Sequence, residues 1–61
     1  MKIIIKVERC WPSNRWRMIT PDGQRETLYA EEWTRKESSR ALDLFENVYH
    51  YRRKDIRFDI M

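Results

Sequence analysis

Arg15-Trp16-Arg17-Met18-Ile19-Thr20-Pro21-Asp22-Gly23-Gln24-Arg25 is the stretch from which the fold is read. Its first half alternates. Trp16, Met18 and Thr20 fall on one side of an extended strand, and Arg15, Arg17 and Ile19 on the other. Pro21-Asp22-Gly23 is hairpin chemistry: Pro sets φ at the first central position, and Gly supplies the positive φ that a type I turn with a bulge requires. The stretch predicts a strand, a tight turn and a return strand over Arg25 to Ala30, short and at a sheet edge. It also gathers three arginines and a tryptophan on one rigid unit, which raises the question of a polyanionic partner.

Upstream, Lys2 to Cys10 is a strand, with Ile3, Ile5 and Val7 on one face and Ile4, Lys6 and Glu8 on the other. The apolar run Ile3-Ile4-Ile5 suits a central strand covered on both sides at that end. Trp11-Pro12-Ser13-Asn14 is loop chemistry, and Pro12 ends the ladder.

Downstream, Thr34-Arg35-Lys36-Glu37 is a capping box. Trp33 occupies the staple position before it, but the usual staple partner would be Ser38, which is not apolar. Ala41, Leu42, Phe45, Val48 and Tyr49 then recur at helical spacing, so the pattern predicts a helix from about Arg35 to His50. Asp55 to Ile60 alternates without a break and is the cleanest strand signature in the chain.

The fold class that follows is α+β, a small β-β-β-α-β domain. An antiparallel meander carries one helix on one sheet face. A right-handed crossover brings the C-terminal strand beside the first, in spatial order 4-1-2-3, unless that strand is exchanged between two chains to make a homodimer.

The chain has 61 residues and forms a single domain of modest stability. Cys10 is the only cysteine and His50 the only histidine, which excludes an internal disulfide and a zinc cluster. That leaves its eight aromatic residues, or self-association, as the source of stability. The apolar run after Met1 is too short for a secretory signal, and no stretch is long enough to span a membrane. A cytoplasmic protein without a cofactor is expected.

Net charge is +3, unevenly distributed. Residues 1–25 carry +4, residues 26–49 carry −3 and residues 50–61 carry +2. Nine of the thirteen cations are arginine, the residue suited to forked contacts with phosphate or carboxylate. If the helix covers the face bearing Ile3, Ile5, Val7, Trp16, Met18, Ile56, Phe58 and Ile60, then Lys6, Glu8, Arg15, Arg17, Asp55, Arg57 and Asp59 share the other. The nucleic-acid-binding candidates are Lys6, Arg15, Arg17 and Arg57 on that face, the Arg52-Arg53-Lys54 cluster, and Trp11 in its loop. Interspersed acids also permit a solvated sheet with ordinary cross-strand ion pairs. Trp16 and Trp33 are assigned to the core. The protein-binding candidates are Glu37, Asp43 and Glu46 on the helix. Catalysis is not expected: Cys10 and His50 are the only conceivable nucleophile and base, and no hydrolase, phosphate-loop or metal motif occurs.

Trp16-Arg17-Met18-Ile19, Asp22-Gly23 and Trp33-Thr34-Arg35-Lys36-Glu37 together resemble the layout of the arm-site DNA-binding domains of tyrosine recombinases. The likeness spans residues 15–48 and implies a three-stranded sheet that is backed by a helix and enters the major groove. The family often has alanine where this chain has Ser38, and the strand at Ile56–Ile60 has no counterpart in it. The short Met-started chain also resembles small accessory proteins of phages and mobile elements.

Two functions are expected from these features. The first is an adaptor or inhibitor that binds an unidentified protein partner through the acidic helix face or a free strand edge. The second is a nucleic-acid-binding module that uses the arginine-bearing sheet face.

Overall fold

A computed structural model describes all 61 residues. The strands are β1 (Ile3–Cys10), β2 (Arg15–Ile19), β3 (Arg25–Tyr29) and β4 (Ile56–Ile60), with one helix, α1 (Arg35–Asn47), between β3 and β4. They form one sheet in the order β3-β2-β1-β4. β1 pairs antiparallel with β2 and β2 antiparallel with β3, while β4 lies parallel to β1. The C-terminal strand therefore completes the sheet of its own chain.

The hairpin turn closes as its residues dictate. Gly23 has φ 92° and donates its N–H to the Thr20 carbonyl at 2.9 Å. The Thr20 N–H in turn donates to the Gln24 carbonyl at 2.8 Å. The Thr20 hydroxyl accepts from the Gln24 N–H and donates to the Asp22 carboxylate, which accounts for a threonine that is almost fully buried. The Trp11–Pro12 bond is cis.

The helix begins at the expected cap. The Thr34 N–H donates to Glu37 Oε1 at 2.8 Å, and the Thr34 oxygen accepts from backbone N–H groups of the first turn. The residues flanking the cap do touch, but through a hydrogen bond: the Trp33 indole N–H donates to the Ser38 hydroxyl at 2.8 Å. The helix ends at Asn47, a few residues short of the predicted His50. The chain reverses through His50, whose φ is 60°, and the Tyr51 N–H closes onto the Phe45 carbonyl at 3.0 Å.

The core consists of Ile5, Val7, Trp16, Met18, Leu28, Ala41, Phe45 and Ile56. Two aromatic groups extend it. Trp33 packs against Trp16 and Phe58, with ring centroids 5.8 and 5.6 Å away. Phe45, Tyr49 and Tyr51 form the other group, with centroids 5.1 to 6.2 Å apart. These separations suit tilted and offset aromatic pairs.

Three expectations are corrected. Ile4 is 42% exposed, so β1 is central in the sheet but covered on one face only. Ile60 is 49% exposed; it shares the parity of Ile56 and Phe58 but lies at the end of the strand. Asp55 is outside β4, in a single 3-10 turn (Arg53–Asp55), 3.8 Å from the N-terminal amine.

Candidate nucleic-acid interface

The open face of the sheet follows from strand parity and register. Tyr29, Arg15 and Cys10 form one row across β3, β2 and β1, and Thr27, Arg17 and Glu8 the next. Arg25, Ile19, Lys6 and Asp59 form a third row across all four strands, and Ile4 lies opposite Arg57. Five cations thus share the face with two carboxylates. Arg25 and Tyr29 were missing from the sequence-derived set. The parity signal that places them was already present in Arg25-Glu26-Thr27-Leu28-Tyr29, because Leu28 must face the core.

The cations are not equally free. Arg17 forms a cross-strand ion pair with Glu8 at 3.2 Å. Arg57 folds its guanidinium back onto the carbonyls of Lys54 and Ile56, at 2.8 and 2.9 Å. Lys6, Arg15 and Arg25 take part in none of the four ion pairs of the chain. Arg15 and Arg25 are exposed, and Tyr29 is 69% exposed. The arrangement is a pleated surface with three unpartnered cations, a fourth at its centre and an accessible aromatic ring.

The remaining candidates separate from this surface. Trp11 is 77% exposed, but the guanidinium of Arg9 stacks on it at 5.2 Å and lies 5.8 Å from the ring of Trp16. Arg9 is opposite Trp16 in register, so Trp11 belongs with the covered side of the sheet. Arg52 and Lys54 are exposed, and Arg52 lines a depression with Met1, Lys2, Ile3, Pro21, His50, Tyr51 and Asp55. Arg53 bridges Asp43 and Glu46 on the helix, and these contacts hold its proton more firmly than usual.

The acidic helix set is occupied internally. Glu37 is buried in the capping box. Hydrogen bonds from Thr34, side chain first and backbone second, hold its carboxyl below the usual range. Asp43 and Glu46 both face Arg53. Glu26, on the covered side of β3, accepts from the Tyr49 hydroxyl at 2.6 Å. That bond, aided by burial, pushes the Tyr49 pKa up to about 12. Cys10 closes one end of β1, whereas His50 lies with Met1 and Lys2 at the other. No group of three His, Cys, Asp or Glu residues is placed to hold a metal ion. No helix is long and apolar enough to cross a membrane.

No family model, curated protein or solved structure matches this chain.

Proposed function

We propose that the protein is a nucleic-acid-binding module whose contact surface is the open sheet face. The observation that carries the proposal is the set of unpartnered cations on that face, Lys6, Arg15 and Arg25, with the exposed ring of Tyr29 beside Arg15. Arginine forks onto phosphate oxygens, and an exposed tyrosine offers a stacking surface to an unpaired base. The strands space these groups rigidly, which limits the entropy lost on binding. The acidic helix residues are engaged within the chain, and this moves the preference from a protein partner to a polyanion.

Binding of labelled single-stranded DNA, single-stranded RNA and duplex DNA, followed by fluorescence anisotropy, tests the proposal. Three phosphate contacts give a salt slope of about −2.7 on duplex DNA and about −2 on single strands, or about 40-fold and about 20-fold weaker binding between about 50 and about 200 mM salt. Combined Lys6→Ala, Arg15→Ala and Arg25→Ala removes that slope. Absence of binding to all three probes at the lower salt rejects the proposal. Tyr29→Ala weakens the single-stranded probes selectively if stacking contributes, by about 1–3 kcal/mol per base.

A protein partner is the second reading. It is favoured by Ile4 and Ile19, which share a depression with Lys2 and Lys6 on the same face. Such a strip suits an acidic peptide with apolar side chains. Binding that tolerates salt and responds to Ile4→Ser would favour it.

A further inference from the structure

The two edges of the sheet differ in how they end. On β4, the Met61 N–H donates to the Val7 carbonyl at 2.9 Å. Parallel pairing then turns the backbone groups of Ile56, Phe58 and Ile60 outward. Arg57 occupies the first outward carbonyl, that of Ile56, with its own guanidinium. On β3, Thr20 bonds Gln24 and Ala30 bonds Asn14, so by alternation Glu26 and Leu28 face β2. The N–H and C=O groups of Arg25, Thr27 and Tyr29 point away from the sheet. No backbone or side-chain hydrogen bond outside the ladder reaches them. The strand contains no proline, glycine or bulge, the devices that usually protect such an edge; only the charge of Arg25 guards it.

We infer that a second copy of this chain pairs with β3, antiparallel and centred on Thr27. The sequence of the edge is self-complementary in this register. Thr27 lies opposite Thr27 of the other copy, and Arg25 lies opposite Tyr29. All three outward-pointing residues are then paired, with two backbone hydrogen bonds for each facing pair. On the open face the Arg25 guanidinium of each copy stacks on the Tyr29 ring of the other, a favourable cation–π arrangement. The two hydroxyls of Thr27 meet at the axis, a favoured cross-strand pair. Centring the strands on Arg25 or Tyr29 leaves fewer groups paired, and the first of these sets like charges face to face.

A two-fold axis through this pair runs perpendicular to the sheet. Both open faces therefore lie on one side, and the two four-stranded sheets become one of eight strands. Each copy supplies a residue to the surface of the other, and the cations Arg15 and Lys6 of the two copies continue across it. Pairing draws Arg25 and Tyr29 into the seam, so nucleic-acid contacts of the dimer fall chiefly on Lys6 and Arg15, and the pairing itself is measured without nucleic acid.

Sedimentation equilibrium over a wide concentration range, without nucleic acid, tests the pairing. The expected result is a reversible dimer. Thr27→Pro removes an N–H that points outward and leaves the β2 ladder intact, a site where a strand tolerates proline. It is expected to raise the dimer dissociation constant at least about tenfold, equivalent to about 1.4 kcal/mol, with circular dichroism unchanged. A chain that remains monomeric throughout overturns the inference, as does a Thr27→Pro protein that folds and dimerises as well as the parent. Should Thr27→Pro fail to fold, Thr27→Cys in a Cys10→Ser background reads the register directly. Facing residues are within disulfide reach, so Thr27→Cys is expected to cross-link under mild oxidation. Tyr29→Cys in the same background is displaced from its counterpart by several residues and is expected not to. Equal cross-linking of the two, or none with Thr27→Cys, overturns the register.

Discussion

The two faces of the sheet are made from alternate residues of the same strands, yet they handle charge in opposite ways. On the helix side, charge is admitted only with a partner: Glu26 accepts from Tyr49, and Glu37 is held by Thr34. On the open side Arg15, Arg25 and Lys6 take part in no ion pair. The difference shows where free energy is committed. Stability resides in the aromatic and aliphatic layer under α1, while the open face is left with unspent interactions that a ligand can complete. A substitution on one side should therefore move folding and not binding, and a substitution on the other should do the reverse.

The comparison breaks most sharply at Phe45, which is fully buried and touches both Tyr49 and Tyr51. Phe45→Ala is expected to cost about 3–5 kcal/mol. A chain of this size has a total stability on the order of 3–9 kcal/mol, so urea denaturation should find the variant unfolded or close to it. Next in size is the triple substitution of Lys6, Arg15 and Arg25 by alanine. Affinity for nucleic acid should fall at least about tenfold, or 1.4 kcal/mol, while the unfolding midpoint stays close to that of the parent, since each site is exposed. A parallel loss of stability would show that the open face also supports the fold.

Smaller effects sharpen the helix side. Thr34→Ala removes the hydroxyl half of the capping box, leaves the backbone N–H of residue 34 on Glu37, and should cost about 1 kcal/mol in thermal unfolding. The same contact has a pH signature. The carboxyl of Glu37 is depressed in the folded chain, so its contribution is present above the unfolded value and is lost as pH falls through the lower folded value. The parent should lose stability over that acid window, and Thr34→Ala should lose less. Tyr49 behaves in the opposite sense. Its pKa is raised from 10.0 to about 12, so its contribution holds below 10 and is lost as pH climbs towards 12. Smallest of all is Arg53→Ala. Its partners are exposed, and pairs of this kind contribute about 0–1 kcal/mol. If nucleic-acid binding drops with Arg53→Ala, the contact surface extends beyond the sheet to the 52–54 cluster.

The element order was legible in the chain because each element carries its own signal. The hairpin is written in Pro21-Asp22-Gly23, the helix start in Thr34 and Glu37, and the last strand in the alternation from Ile56 to Ile60. The sheet order was one of two placements the sequence left open, exchange of the last strand between chains being the other, and the Ile3-Ile4-Ile5 run pointed to a central β1. The single-sided cover of β1 was not legible. An isoleucine at position 4 reads as buried, and only the position of α1 leaves it in contact with solvent. The site was half legible. Lys6, Arg15, Arg17 and Arg57 were placed on the right face by strand parity, but nothing in one-dimensional spacing reveals that Arg57 turns onto carbonyls or that Arg53 bridges two acids. Arg25 and Tyr29 were within reach of the same parity rule, applied to a strand whose pattern is short.

The parallel partnership of β1 and β4 sets a temporal constraint on the chain. Ile3 pairs with Ile56 and Val7 with Ile60, so β1 finds its second neighbour only after the hairpin and the helix have been made. Until then Ile5 and Val7 have the hairpin on one flank and nothing on the other. Closing so long an intervening loop delays the contacts that reward it. The nascent protein should therefore be most vulnerable to proteolysis and to misplaced strand pairing just before β4 emerges, and loss of β4 should be felt in β1.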